Sequence, residues 1–174
     1  MISPPTTPEL LNEVGLAGVR AGKYPEAAPY LTRALTQREQ QLAPGHPNMA
    51  TSLNNLAELY RAQGKYADAE PLYQRVIAIF ETALGPTHPN VATSLNNLAE
   101  LYRAQGKYAD AEPLYQRSFW IFLQRLGPEH PTVRQAFANY QAYLKASGQP
   151  DTEKDAWEHL QSSRYAPPRK TTSP

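Results

Sequence analysis

Apolar residues recur along this chain in short helical stripes. Leu53, Leu56, Ala57 and Tyr60 stand at i, i+3, i+4 and i+7, the spacing that lines one face of a helix. A second stripe follows at Ala69, Leu72, Tyr73, Val76 and Phe80. Gly64 separates them, because the left-handed position after a helix favours glycine. Asn48 reads as the N-cap of the first helix. The second closes at Leu84-Gly85-Pro86, and Pro71 falls in or just after its first turn, where a missing N–H costs little. At the amino end, Thr7-Pro8-Glu9 reads as a cap, a proline at N1 and an acid at the positive end of the helix dipole.

This pair of helices is a repeating unit. Gly22, Gly64, Gly106 and Gly148 stand 42 residues apart, and so do His46, His88 and His130. The stretch SLNNLAELYRAQGKYADAEPLYQR occurs twice, at 52–75 and at 94–117. The chain therefore reads as four copies, two nearly identical in the middle and two degenerate at the ends. That is the pattern of a stack whose end units have a face without a neighbour. The copies span about 7–47, 48–89, 90–131 and 132–162. Residues 1–6 and the proline-containing basic tail 163–174 are expected to be disordered.

The residues Leu53, Leu56, Ala57, Tyr60, Gly64, Tyr66, Ala69 and Tyr73 resemble the tetratricopeptide repeat pattern at its spacing. The 42-residue unit, with its HPNVATSLNNLAELY and GKYADAEPLYQRVIAI segments, is similar to the kinesin light chain type of that repeat. The resemblance covers residues 7 to about 162. It implies an all-α, right-handed solenoid of four helix-turn-helix repeats, eight helices in all, with the first helix of each repeat lining a concave groove. It also implies a non-catalytic scaffold for protein–protein interaction.

On a helical wheel the face opposite the stripe carries Thr51, Asn55 and Glu58 in the second copy. The third carries Thr93, Asn97 and Glu100, and the fourth Gln135 and Asn139. These are the candidate peptide-binding residues. Asn55, Asn97 and Asn139 form a ladder of carboxamides, each with donors and an acceptor for a peptide backbone. Asn54 and Asn96 fall on the flank beside the next repeat, where bracing between repeats is the expected role. Phe80 and Phe122 stand where the light-chain pattern offers an arginine. With Glu58 and Glu100 nearby, the groove reads as neutral to acidic, suited to a neutral or basic segment more than an acidic one. Trp120 lies off the apolar stripe of its helix and is read as a surface contact, with packing against the fourth hairpin as the other reading.

Composition narrows the rest. The formal net charge is +1 and there is no cysteine. No bulk charge points to nucleic acid or membrane, and disulfides and thiolate metal sites are excluded. No apolar run nears the roughly 20 residues that span a bilayer, so a cytoplasmic protein is expected. His46, His88 and His130 recur once per repeat, too far apart to share an ion, so a loop or cap hydrogen bond is expected in place of a metal. No phosphate-binding glycine loop, H-E-x-x-H or serine elbow is present. Neither enzyme activity nor a cofactor is expected. The rival functional readings are a self-assembly module, as a dimer or stacked solenoid, and a regulatory fragment of a larger enzyme or signalling protein.

Overall fold

The first helix of each repeat, and the last helix described, begins at a side-chain cap. The computed structural model describes residues 6–43 and 45–167. Within them run α1 (Pro8–Arg20), α2 (Tyr24–Gln41), α3 (Pro47–Ala62), α4 (Tyr66–Leu84), α5 (Pro89–Ala104), α6 (Tyr108–Leu126), α7 (Pro131–Ala146) and α8 (Glu153–Ser162). They pair as four hairpins, and each hairpin packs on the next. Residues 1–5 and 168–174, expected to be disordered, lie outside the described residues.

Thr7 caps α1 by accepting from the Leu10 N–H, with Pro8 inside the first turn. For α3 the cap is His46, which corrects the expectation of Asn48. The Nδ1 of His46 accepts from the Asn48 N–H at 3.1 Å. His88 does the same for Asn90 and His130 for Thr132, each at 3.1 Å. The proline after each histidine sets the first helical turn, because its fixed φ suits N1 and its missing N–H is not needed there. The three recurring histidines are thus helix caps.

The hinge glycines stop the first helices. Gly64 sits at φ +72. Around it the Lys65 N–H bonds the Tyr60 carbonyl at 2.8 Å and the Gly64 N–H bonds that of Arg61 at 3.0 Å. This pairing satisfies carbonyls that the helix end would otherwise orphan. Pro71 lies inside α4, in its second turn.

The stripes meet as predicted. Leu53 and Ala57 are fully buried, as are Tyr73 and Val76. Apolar side chains fill the contacts between repeats, and the core runs along the stack in three linked clusters. Burial pushes the hydroxyls of Tyr73, Tyr115 and Tyr140 far up from their ordinary value, and that of Tyr143 up to about 12. The unfolded chain titrates its tyrosines near pH 10. The folded values lie above that, so the stability these groups contribute is complete below pH 10 and lost as pH rises beyond it. The urea midpoint should therefore hold level to about pH 9.5 and fall between about pH 10 and 12. Tyrosinate absorbance of the native protein should lag that of the unfolded chain over the same range. Coincident titration curves would show these tyrosines to be solvated.

The fourth hairpin departs from the others. A continued repeat would start its second helix at residue 150. Instead α8 starts at Glu153, after Thr152 accepts from the Asp155 N–H at 3.1 Å. It runs only 10 residues, against 19 for α4 and α6. Trp120 fills the resulting space. It is 6% exposed, and its Nε1 donates to the Leu160 carbonyl at 3.2 Å and to Ser163 Oγ at 3.1 Å. The reading of Trp120 as a surface contact is therefore corrected. Its counterpart Ala78 is exposed because a regular neighbour leaves that face open. Residues beyond Ser162, expected to be disordered, hold a defined course as far as Pro167, with Tyr165 and Ala166 packed against the core.

Candidate functional site

The first helices lie side by side, and a side-chain bond ties each to the next. Asn97 Nδ2 donates to Asn54 Oδ1 at 3.1 Å, and Asn139 Nδ2 donates to Asn96 Oδ1 at 3.1 Å. Two of the three predicted ladder residues are thus spent on bracing neighbouring repeats. The flank asparagines Asn54 and Asn96 are their partners.

The third rung is different. The residue that should pair with Asn55 is Asn12, one repeat before Asn54. Asn12 instead donates to Ser52 Oγ at 3.1 Å, and its Oδ1 is buried without a partner. Arg38 draws the contact aside. It is 7% exposed and donates to Ser52 Oγ at 3.0 Å, to the Asn48 carbonyl at 2.7 Å and to Glu9 Oε1 at 3.2 Å. Among the described residues the Asn55 side chain makes no hydrogen bond, although Asn55 is only 7% exposed.

Two crevices open between first helices. One, of about 230 Å³, lies between the second and third repeats. Thr51, Asn54, Asn55 and Thr93 line it, Phe80 supplies the apolar surface, and Ala50, Asn90 and Ser94 complete it. The other, of about 140 Å³, lies between the third and fourth repeats, with Thr93, Asn96, Gln135 and Asn139 around Phe122. The two are built alike, and among the described residues neither is lined by a charged side chain. Arg38 shows why they exist. It stands one repeat before Phe80 and two before Phe122. Where the first repeat holds a bonded arginine, the next two hold phenylalanine.

Glu58 and Glu100, predicted to face a ligand, line neither crevice. Glu58 accepts from the Tyr73 hydroxyl at 2.6 Å and from Arg61 at 2.8 Å. Glu100 accepts from the Tyr115 hydroxyl, and from Arg103 at 2.6 Å. Each carboxylate is neutralised within its own hairpin. Of the predicted residues, then, Thr51, Asn55 and Thr93 gather in one crevice, and Thr93, Gln135 and Asn139 in the other. Sequence reasoning missed Asn54 and Asn96 as lining residues. Their flank position faces both the neighbouring repeat and the crevice it forms.

Two families of substitution separate bracing from binding. Asn97→Leu leaves Asn54 Oδ1 without its donor and should cost about 1–2 kcal/mol of stability. Asn55→Leu breaks no side-chain bond and should leave the urea midpoint within about 0.5 kcal/mol of wild type. Equal losses would show that Asn55 is also a brace.

A family model described as tetratricopeptide repeat matches this chain at residues 6–82, 50–124 and 90–152. Several solved structures share the fold. The crystal structure of a Podosopora anserina putative kinesin light chain with nearly identical TPR-like repeats is 26% identical with a TM-score of 0.73. The match covers 92% of this chain and 77% of that one. A variant form of the same Podosopora anserina protein is 27% identical with a TM-score of 0.73, over 88% of this chain and 71% of that one. BtubC (BKLC) from P. vanneervenii, 24% identical, matches over 98% of this chain and 72% of that one with a TM-score of 0.73. No curated protein matches the chain. Among the described residues no helix is long and apolar enough to cross a membrane.

Proposed function

We propose that this chain, which belongs to the tetratricopeptide repeat family, holds an extended, uncharged peptide segment of another protein in its concave groove. Repeats of this kind generally serve as non-catalytic scaffolds for protein–protein contact. The observation that supports the finer reading is the pair of like-built crevices, each with carboxamide and hydroxyl walls around a phenylalanine. The amides can pair with a peptide backbone whatever its side chains are. The phenylalanines favour small apolar side chains between them.

Asn55 is the anchor of this reading, since its amide makes no side-chain hydrogen bond among the described residues and it lines the larger crevice. The two crevices repeat at the spacing of neighbouring helices, on the order of 10 Å. That is about three residues of extended chain at 3.1–3.4 Å each. A segment with an apolar residue at every third position fits both. The pairing of Glu58 with Arg61 and of Glu100 with Arg103 removes the reason to favour a basic ligand, so the proposal is a neutral one.

The test is a displayed-peptide selection against the whole chain, repeated with Asn55→Leu and with Thr93→Arg. Thr93 is exposed and lines both crevices, so an arginine there fills them without disturbing the core. Wild type should enrich uncharged peptides at micromolar affinity, about −8 kcal/mol. Asn55→Leu should weaken them by about tenfold, the loss expected for one hydrogen bond and the desolvated groups around it. Thr93→Arg should abolish them. Peptides that bind both variants as well as wild type would overturn the groove reading.

A further inference from the structure

The first three hairpins close on a small residue. Gly15, Ala57 and Ala99 stand one repeat apart on the first helices, and all are buried. At Gly15 an added Cβ would meet the Leu31 side chain at 2.5 Å, which shows how closely the two helices approach. In the fourth hairpin the same place holds Gln141. Its Nε2 donates to the Asp151 carbonyl in the lengthened hinge at 3.4 Å. An apolar cleft of about 440 Å³ opens between the two helices. Phe119 and Leu123 of α6, Phe137 of α7 and Trp157 of α8 supply its apolar surface, Arg134 and Glu153 also line it, and Trp157 is 38% exposed.

The opposite end of the chain carries an apolar stripe of its own. Leu10 and Val14, one turn apart on α1, are 48% and 38% exposed. Their counterparts one repeat on are Ser52 and Leu56, and two repeats on are Ser94 and Leu98. All four are buried, because that face of each inner repeat packs on the repeat before it. Leu10, Val14 and Trp157 are three of the four large exposed apolar side chains among the described residues, the fourth being Leu84. One end thus shows the face that seeks a preceding repeat, and the other an open apolar cleft.

Charge agrees with this pairing. The Asn54–Asn97 and Asn96–Asn139 bonds set each first helix against the next with partners 43 positions apart. If a second chain's α1 followed α7 in that register, its Glu9 would lie opposite Arg134. Glu9 already accepts from Arg38 at 3.2 Å and Arg134 stands 4.0 Å from Glu129, but both side chains stay about two-thirds exposed, at 67% and 66%. A carboxylate would meet a guanidinium at the rim of the apolar contact.

We propose that the α7–α8 cleft is a docking site for α1 of a second copy of this chain, with Leu10 and Val14 laid against Trp157 and Phe137 and Glu9 beside Arg134. The two surfaces differ, so the contact is head to tail, and each copy added leaves one end free to take another. It is independent of the groove: peptide binding and association are separate readouts.

Sedimentation velocity on the whole chain over a wide concentration range tests it. The mean mass should climb past that of a dimer as concentration rises. A Leu10→Glu, Val14→Glu variant and a Trp157→Glu variant, each checked for helix content by circular dichroism, should both stay monomeric alone. Mixed, they should form a heterodimer and nothing larger, because each keeps one working end. Should Trp157→Glu lose helix, Arg134→Glu, on an exposed side chain, replaces it and should weaken association by about tenfold through like charge against Glu9. A wild-type monomer at every concentration overturns the proposal. So does a mixture that stays monomeric, or association that only one of the two ends affects.

Discussion

Replacing Tyr115 with alanine should cost about 3–5 kcal/mol, the range for deleting a buried aromatic side chain. The ring is 1% exposed. It lies 5.4 Å from the Tyr143 ring and 6.5 Å from that of Tyr140, and its hydroxyl donates to Glu100. The loss should also be uneven along the chain. In a stack of repeats each unit is held by its neighbours, and Tyr115 joins the third hairpin to the fourth. The fourth hairpin should therefore melt first, and hydrogen exchange should place the opening in α7 and α8 while α1 to α4 keep their protection. Tyr115→Phe isolates the hydroxyl. Glu100 keeps its bond to Arg103, so that change should cost only about 1–2 kcal/mol. A double mutant with Tyr143→Ala should show a coupling of about 0.5–1.5 kcal/mol, as expected for paired rings. Tyr73→Ala offers the contrast. It meets Leu98 and Leu101 where Tyr115 meets Tyr140 and Tyr143, so its ring coupling should be absent, and the chain should open in its middle. A single sharp transition at equal cost for both alanine variants would mean that the four repeats unfold as one unit.

The fold was legible because it repeats. An apolar stripe at helical spacing can be read in any one copy. The 42-residue period then carries the reading to copies where the stripe is faint. Turn chemistry was legible too, since Gly64 and its counterparts announce the hinge. The cap was misplaced by two residues. Asn48 is the more familiar capping type, but the proline that sets the first turn follows His46. The hydrogen bond expected of that histidine proved to be the cap itself.

The site was legible only as a face. A helical wheel places Asn55, Asn97 and Asn139 together because their repeat positions are equal. What each does depends on the residue across the interface, and there the copies differ. Asn97 and Asn139 find Asn54 and Asn96. Asn55 finds Asn12, which Arg38 and Ser52 hold elsewhere. One arginine in the first repeat thus decides which asparagine of the second is left unbonded. A wheel drawn on one helix cannot contain that. The same limit applies to Glu58 and Glu100, whose carboxylates point by sequence toward the groove. They are held by a tyrosine fifteen residues on, across the hairpin.

Trp120→Ala should detach α8. On its own helix Trp120 looks like an outlier, because its wheel position in α4 belongs to the exposed Ala78. The tryptophan is explained by the hairpin after it: a hinge that delivers α8 three residues late and a helix too short to cover α6. Its ring packs against Phe119 and Trp157 with centroids 5.4 and 5.9 Å away, and its N–H holds the end of α8 at Leu160 and Ser163. Helix α8 itself buries only Ala156 and Leu160 on its apolar side. With 10 residues it is also too short to persist alone, since isolated helices below about 12–15 residues are marginal in water. Deleting the tryptophan should therefore remove more than one side chain. Two effects set the size of the loss. Truncating a buried tryptophan costs about 3–5 kcal/mol when the surroundings stay in place. If α8 releases instead, the cost is capped at the free energy that holds α8 to the stack, and the rest of the chain keeps its stability. The short helix favours release. Trp120→Ala should thus lower helix content by about the 10 residues of α8, leave the main melting transition within a few degrees of wild type, and move the emission of the remaining Trp157 to that of a solvated indole. Trp120→Phe keeps the ring contacts and drops only the N–H, so α8 should stay. A uniform fall in melting temperature with Trp157 emission unchanged would mean that α8 is anchored elsewhere, and then the cleft beside it would not depend on the aromatic cluster.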